Sequence, residues 1–319
     1  MTSLNLNPGL EYSIADVERD TGLSKDVLRV WERRYGFPVP TRNALGERVY
    51  DEAQLHRLRH IRRLLDAGYR PARIVQLPLT TLMSLQQQTT QPQTKGPAAS
   101  SVDVEYWLSF LYAQDGVGLR SALVRAEQSL GLMGFLSEVV APLNVAVGQA
   151  WLEGRLAVHE EHLYTEAVST VMRQALWIIR ENTPEEGPRV LTTTLPGEEH
   201  GLGLLMAECA MAYAGCGLQS LGLQTPVPDI VSAVQTGQVN VVGLGFSGAQ
   251  NPRDAFAALS QLREMLDPQI EIWVGGTNTA LQRLMQTAQR GHEPALYINL
   301  SHLGDIASVV ERWRADHRQ

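Results

Sequence analysis

The sequence predicts a multi-domain protein with a winged helix-turn-helix head, a four-helix bundle, and an α/β domain built on a doubly wound, five-stranded parallel sheet. Three observations predict this. Two short amphipathic helices and a hairpin-like segment fill the first 80 residues. Apolar residues at helical spacing fill residues 101–185. From residue 186 to 319, short apolar runs alternate with helical segments, which is typical of a parallel sheet covered on both faces.

Composition narrows the classes of protein that fit. The chain has 319 residues, 44% of them hydrophobic, which is enough for real cores. No run of eighteen apolar residues and no signal peptide is evident, so we expect a cytoplasmic protein without a membrane span. Cys209 and Cys216 are the only cysteines. They are too few for a disulfide framework, and their apolar surroundings predict that both are core residues.

Charge is distributed unevenly along the chain. Residues 1–78 contain 13 Lys and Arg against 10 Asp and Glu, a net charge of +3. The remainder contains 14 against 24, a net charge of −10. This asymmetry predicts a head that faces a polyanion and a body that does not.

The head begins with two capped helices. Ser13 is suited to cap the first, and Ser24 is suited to cap the second. On the second helix Val27, Leu28 and Trp31 share the face that would turn inward. Two short helices joined by a tight turn predict a helix-turn-helix, whose second helix enters the major groove of DNA.

A wing and a third helix follow. Residues 36–50 contain prolines and Gly46, which break a helix, and Arg48–Tyr50 is expected to return as a strand. Asp51 is suited to cap a helix that continues through Asp66, and Gly68 is a natural stop.

The head resembles the MerR family of winged-helix regulators. The resemblance is carried by Arg29-Val-Trp-Glu-Arg-Arg-Tyr-Gly-Phe-Pro, by Pro40-x-Arg42 and by Arg48-x-Tyr50. It implies that the second helix and the wing contact double-stranded operator DNA. Arginine suits both phosphate and guanine through its planar fork. The implied contacts are Arg29, Arg33, Arg34, Arg42, Arg48 and Tyr50.

We place the head at residues 1–80 and a flexible linker at residues 81–100. The linker sequence is polar and rich in Gln, Thr and Pro. Many MerR proteins dimerise through a long coiled-coil helix at this point, and none is predicted here. Oligomerisation must therefore come from elsewhere in the chain.

Residues 101–185 are predicted to form the helical bundle. Glycines are expected to break it at Gly116, Gly131, Gly134 and Gly154. Trp151 falls near the end of one helix, and Glu161-His162 follows after nine residues. Ten residues is close to three helical turns, so these side chains converge only if Gly154 redirects the chain.

Residues 186–319 are predicted to form the α/β domain. Ligands in such sheets bind at the carboxyl ends of the strands. Glu198-x-His200-x-x-Gly203 follows the first predicted strand. Ser247 follows the third, and Gly275-Gly276 ends the fourth.

These residues resemble the pattern of cobalamin-binding domains, which is Asp-x-His-x-x-Gly, then Ser-x-Leu, then Gly-Gly. The resemblance implies that His200 ligates cobalt and that an acid at position 198 holds its other ring nitrogen. Glu198 stands in place of the aspartate, and Ala249 stands in place of the leucine. The residues implied to bind the cofactor in this domain are Glu198, His200, Gly203, Ser247, Gly275 and Gly276.

The pattern Trp-x9-Glu-His resembles the helical cap of light-sensing MerR regulators of the CarH/LitR type, which bind adenosylcobalamin. It implies that Trp151 packs on the adenosyl group while Glu161 and His162 hydrogen-bond to it. Leu152 cannot ligate a metal. If the upper face of cobalt gains a protein ligand after photolysis, the candidates are His159 and His162.

The sequence therefore predicts a cytoplasmic, adenosylcobalamin-dependent repressor that is not an enzyme. It would bind its operator in the dark as a homo-oligomer, dimer to tetramer, and be released when light breaks the Co–C bond. One alternative is a regulator that senses cobalamin or another tetrapyrrole without light, or works without a ligand. Another is a corrinoid methyl carrier, a class that needs no DNA-binding head.

Overall fold

A computed structural model describes residues 11–66, 69–89, 103–290 and 297–317. The chain divides into two compact units. One comprises residues 1–114 and 143–162, and the other comprises residues 115–142 and 163–319. The region expected to be a single helical bundle is thus shared between the units, and residues 143–162 group with the head.

The head has a small antiparallel sheet and a set of helices. Its strands pair in the order β1-β3-β2, with Glu11 opposite Asp51 and Arg42 opposite Arg48. The elements are β1 (Glu11–Ser13), α1 (Ile14–Thr21), α2 (Lys25–Tyr35), β2 (Thr41–Arg42), β3 (Arg48–Asp51), α3 (Glu52–Asp66), α4 (Pro71–Ile74) and α5 (Leu79–Thr89).

The predicted caps of the head are confirmed. Ser13 forms a capping box with Asp16 at the start of α1, and the Ser24 side chain accepts the N–H of Val27 at the start of α2. Gly22 ends α1 in the left-handed conformation, at φ 66°. The Asp51 carboxylate accepts the N–H of Gln54 at 2.7 Å.

The predicted start of the linker is wrong. Helix α5 runs from Leu79 to Thr89, across the expected boundary at residue 81. Leu82 is fully buried in the head core, so the apolar positions of this segment belong to the head. Residues 90–100, the rest of the expected linker, lie outside the described residues.

The helical region contains α6 (Val104–Tyr112), α7 (Gly116–Gly134), a π-helical segment (Phe135–Val140), α8 (Ala141–Leu152) and α9 (Val158–Asn182). Gly131 and Gly154 both have φ 68° and interrupt helices as predicted. Gly134 is not a break, because its φ is −63°. By length and composition alone, the run Gly116–Leu152 could cross a membrane, a feature that the core helix of a soluble protein shares.

The predicted five-stranded parallel sheet is confirmed, with strand order β5-β4-β6-β7-β8. Its apolar core lies between the sheet and its helices and includes Cys216. Cys209 is buried as well, so both cysteines are buried as predicted. The elements are β4 (Arg189–Thr193), α10 (Leu202–Tyr213), β5 (Gly217–Ser220), α11 (Val227–Thr236), β6 (Val241–Phe246), α12 (Pro252–Met265), β7 (Glu271–Gly276), α13 (Thr279–Ala288), β8 (Ile298–Leu300) and α14 (Asp305–Asp316).

Candidate cofactor site and DNA-binding surface

The strand order of the large sheet fixes where a ligand is expected. The first strand of this domain, β4, lies between β5 and β6. The chain therefore leaves β4 and β6 toward opposite sides, which creates a crevice at their carboxyl ends. The loop after β4 carries Glu198 and His200, and the loop after β6 carries Ser247. The structure thus brings these three residues together at the switch point of the sheet.

Glu198 and His200 are in direct contact. Oε1 of Glu198 lies 2.8 Å from Nδ1 of His200 and accepts the His200 backbone N–H at 2.9 Å. The Glu198 side chain is 1% exposed, whereas that of His200 is 64% exposed. The longer glutamate therefore reaches the imidazole as the aspartate of the pattern was expected to. Nδ1 is consequently the ring nitrogen that the carboxylate holds.

Ser247 completes the environment of the carboxylate. Its backbone N–H donates to Oε2 of Glu198 at 2.6 Å, and its hydroxyl donates to Oε1 at 3.0 Å. Burial by itself would raise the pKa of Glu198, but the hydrogen bonds from His200 and Ser247 outweigh it and lower the pKa. The carboxylate is therefore ionised at neutral pH and is an acceptor for the His200 ring N–H.

The backbone of the Glu198 loop is held by residues that the sequence reasoning missed. The hydroxyl of buried Thr194 donates to the carbonyl of Glu198 at 2.9 Å and accepts the N–H of Gln224 at 2.8 Å. The side chain of Gln224 accepts the N–H of Gly197 at 3.3 Å. The sequence signal for this support was the run of three threonines at residues 192–194, which crosses the end of β4 and places hydroxyl groups where the loop begins.

The two glycines at the end of β7 have different steric roles. Gly276 has φ 131°, and a Cβ there would lie 1.8 Å from the carbonyl oxygen of Phe246. A Cβ at Gly275 would lie 3.7 Å from its nearest neighbour, in Leu300. A Cβ at Gly203 would meet nothing within 4 Å. Gly276 is thus required by the close approach of β7 to the residue before Ser247.

A small cleft opens beside this glycine pair. Its volume is about 10 Å³, roughly the space that one water needs. The cleft is lined by Phe246, Val274, Gly275, Gly276, Asn278, Leu281, Gln282 and Asn299.

Trp151 lies near the end of α8 and contacts the head within its own unit. The Arg59 guanidinium carbon lies 4.9 Å from the centroid of the Trp151 ring. Arg59 also forms a bidentate ion pair with Asp20, both contacts being 2.7 Å. The predicted cap tryptophan is therefore packed against α3.

A buried histidine pair on α3, which the sequence reasoning also missed, lies at the contact between α3 and the end of α8. His56 and His60 are 3% and 1% exposed, and their rings meet edge to face at 4.8 Å. His56 hydrogen-bonds with the backbone of Leu152 and Glu153. Burial, then the nearby His60 and Arg59, lowers the pKa of His56 to about 4. In the sequence, this pair is indicated only by the spacing His-x-x-Arg-His within one helix.

The other predicted cap residues lie at the start of α9. His162 is 72% exposed, and its Nε2 lies 3.7 Å from a carboxylate oxygen of Glu161. Nε2 of His159 lies 3.1 Å from the side-chain amide of Gln114. Leu152 is 1% exposed. Trp151, Glu161 and His162 are in the unit that contains the head, and their roles toward a ligand stay predictions.

The predicted DNA-contacting arginines of α2 are exposed. Arg29 pairs with Asp26 at 3.1 Å on the surface, and Arg33 is exposed. The Arg34 guanidinium carbon lies 5.3 Å from the Tyr35 ring centroid. Leu28 and Trp31 bury the opposite face of α2.

The wing residues have different environments, and the DNA contacts of Arg42 and Arg48 stay predictions. Arg48 forms hydrogen bonds of 2.8 and 3.4 Å with the Glu32 carboxylate and so braces the wing against α2. Arg42 donates to the carbonyl of Gly46 in the hairpin. Tyr50 is fully buried in the head core, hydroxyl included, so its predicted contact with DNA is corrected to a core role.

Comparison with known proteins identifies the head. Residues 12–77 match the model of the MerR HTH family regulatory protein, so this domain is a MerR-type helix-turn-helix. The chain is 28% identical to the HTH-type transcriptional repressor CarH of Myxococcus xanthus over 83% of this chain and 88% of CarH. It is 27% identical to CarA of the same organism over 82% of this chain and 85% of CarA.

Comparison with solved structures gives matches of low similarity. The monomethylamine corrinoid protein of Methanosarcina barkeri covers 64% of this chain and 94% of its own length, at 15% identity and a TM-score of 0.48. A cobalamin-binding protein of Desulfitobacterium hafniense covers 66% of this chain and 98% of its own, at 16% identity and a TM-score of 0.32.

Proposed function

We propose that this chain is a cytoplasmic transcriptional repressor that binds operator DNA through its MerR HTH domain and senses adenosylcobalamin, and hence light, through its α/β domain. The observation that carries the proposal is the Glu198–His200–Ser247 arrangement at the switch point of the sheet. The similarity to two named repressors over more than four fifths of the chain supports it.

The residues present fit a corrinoid with a histidine ligand. His200 is exposed at the edge of the sheet where the carboxyl ends of β4 and β6 lie, and its Nδ1 is held by an ionised carboxylate. Such a carboxylate fixes the tautomer of a ligating histidine and raises its basicity. Gly276 allows β7 to approach the carbonyl of Phe246, the residue before Ser247.

When bound, adenosylcobalamin would supply a cobalt–carbon bond that light can break. Glu198 would keep the His200 ring in one orientation. Trp151, Glu161 and His162 stay our candidates for recognising the adenosyl group. A homo-oligomer would place several heads on one operator, and linked heads gain affinity through effective concentration, so loss of assembly would release DNA.

The first experiment is a spectrum. The full-length chain is reconstituted with adenosylcobalamin and its absorption is recorded before and after green light, in parallel with operator binding. We expect the spectrum to change with light and the operator to be released. Cobalamin binding without any effect of light would support the light-independent alternative, and failure to bind cobalamin would overturn the proposal.

His200→Ala tests the assigned ligand. The variant should bind cobalamin more weakly and lose the spectral signature of nitrogen coordination. The matched control is His317→Ala, which removes a histidine that stacks on Trp313 at the end of the chain. An unchanged spectrum in His200→Ala would rule the assignment out.

The DNA-binding role is tested by replacing Arg29, Arg33 and Arg34 with alanine together. Each phosphate contact that is lost should lower the salt slope of binding by about one. Arg19→Ala is the control, because Arg19 is 78% exposed on α1. Parent-like operator affinity in the triple variant would show that α2 does not bind DNA.

The cap role is tested by Trp151→Ala in the dark, with size-exclusion chromatography with and without adenosylcobalamin. We expect His200 ligation to persist while assembly no longer depends on the cofactor. Trp151→Phe, which keeps an aromatic ring, should behave like the parent. If Trp151→Ala assembles and dissociates like the parent, the tryptophan serves only in packing.

A further inference from the structure

Asn278 lies in the loop after β7, two residues beyond Gly276, and is 4% exposed. Its Oδ1 accepts the N–H of Leu281 at 3.0 Å and so caps α13. This contact fixes the orientation of the amide, because the other end must then be the donor. Nδ2 donates to the carbonyl of Ser247 at 3.1 Å and to the carbonyl of Gln250 at 2.9 Å.

Those two carbonyls stand at the two ends of the loop formed by residues 247–250, so one amide group holds both ends. Two further contacts fix the same loop. The N–H of Gly248 donates to the hydroxyl of Thr277 at 3.1 Å. The side chain of buried Gln250 donates to the carbonyl of Pro196 at 3.1 Å, in the loop that carries Glu198. The loop is therefore tied to its neighbours on both sides.

From this loop the contacts continue to the candidate ligand. Ser247 donates twice to Glu198, and Glu198 contacts Nδ1 of His200. The hydrogen bonds thus form a continuous path from Asn278 through Ser247 and Glu198 to His200. A displacement of the Ser247 loop would remove two of the donors that hold the carboxylate.

We infer that Asn278 is a positioning residue for the metal-binding histidine: it fixes the Ser247 loop and, through Ser247 and Glu198, the orientation of His200. This role rests on the proposed function, because it presupposes that His200 ligates cobalt. Asn278 directly follows Gly275-Gly276-Thr277. The role therefore extends the proposed cofactor site beyond the glycine pair.

The competing role for Asn278 is that of a helix cap and nothing more, and one substitution separates the two. Asn278→Asp keeps an oxygen that can accept the N–H of Leu281, since aspartate is as good a cap as asparagine. It removes both N–H donors and sets a carboxylate against two carbonyl oxygens. Asn251→Asp is the matched control, because Asn251 caps α12 through the N–H groups of Arg253 and Asp254.

The experiment compares the full-length parent, Asn278→Asp and Asn251→Asp. Cobalamin affinity is measured by titration with hydroxocobalamin, and histidine coordination by the nitrogen splitting in the EPR spectrum of the Co(II) form. We expect Asn278→Asp to bind about tenfold more weakly and to lose part of the nitrogen-coordinated signal, whereas Asn251→Asp should match the parent. Thermal unfolding of the ligand-free proteins checks that both caps are intact.

Thr277→Val is a second variant for the case in which Asn278→Asp does not fold. It removes the acceptor of the Gly248 N–H without touching the cap, and it should weaken nitrogen coordination in the same direction. Parent-like affinity and coordination in Asn278→Asp, or an equal loss in Asn251→Asp, would overturn the role of Asn278 alone. A parent chain whose nitrogen coordination does not depend on His200 would overturn the cofactor site and this role together.

Discussion

The molecule contains two histidine sites whose environments are opposite. At the edge of the large sheet, the acid is buried and the histidine is exposed: Glu198 is 1% exposed and His200 is 64% exposed. On α3 of the head, the histidines are buried: His56 is 3% exposed and His60 is 1% exposed. Nε2 of His56 is buried without a hydrogen-bond partner.

The difference separates the proposed ligand site from a site in the core of the head. The Glu198 carboxylate is fully supported by donors, and the exposed imidazole presents a defined face outward. His56 is instead kept neutral chiefly by burial, with His60 and Arg59 beside it, which makes it a poor ligand and a source of pH sensitivity. Four predictions test this contrast, two in each region.

The largest effect is expected from Arg59→Ala in the head. Asp20 would be left buried without its bidentate partner, and Trp151 would lose the guanidinium beside its ring. Breaking one partner of a buried ion pair costs about 3–5 kcal/mol. Urea unfolding should show this loss in the unit that contains the head. Arg19→Ala, on the surface, should cost less than about 1 kcal/mol; equal losses would mean that burial of the pair is unimportant.

His56 should make this unit sensitive to acid. Its pKa is about 4 in the folded chain and about 6.5 in the unfolded chain. Between these values the unfolded state binds more protons, so stability is complete above about pH 6.5 and is lost as the pH falls toward 4, by about 3 kcal/mol in all. Unfolding free energies at pH 7.5 and pH 4.5 measure the loss. A pH dependence that is unchanged in His56→Phe would assign it to another group.

The third prediction concerns Gly276→Ala, at the carboxyl end of β7. The new Cβ would collide with the carbonyl of Phe246, in a backbone conformation that other residues rarely adopt. We expect a loss of about 2 kcal/mol in the unit that contains the sheet. Gly275→Ala should be nearly neutral, because its Cβ would make an ordinary contact with Leu300. Similar losses from both substitutions would contradict the asymmetry of the glycine pair.

The smallest effect is expected from Glu198→Gln, which keeps the shape but removes the negative charge. Loss of the charged partner should weaken cobalamin binding about tenfold, with little change in folding. Glu199→Gln, on the exposed neighbour, is the matched control. If both variants bind as tightly as the parent, the carboxylate does not orient His200.

Much of the fold was predictable because it rests on local patterns. Ser13 and Ser24 precede their helices at capping spacing, and both caps are present. The short apolar runs from residue 189 onward became the strands of a parallel sheet. Gly134 keeps helical backbone angles, because a glycine in a packed helix need not break it. The head extends beyond residue 81, because Leu82 is held by the head core rather than by local propensity.

The sequence by itself determined the types of elements, their order, the MerR-like surface of α2 and the motif residues at the ends of strands. Only the tertiary structure decided which of these residues meet. Glu198 and Ser247 are 49 positions apart and join because β4 and β6 are neighbours. Tyr50 is buried rather than exposed, and Trp151 packs on Arg59 of α3. Local periodicity specifies which face of an element is apolar, but contacts between distant residues depend on how whole elements pack, which no local spacing encodes.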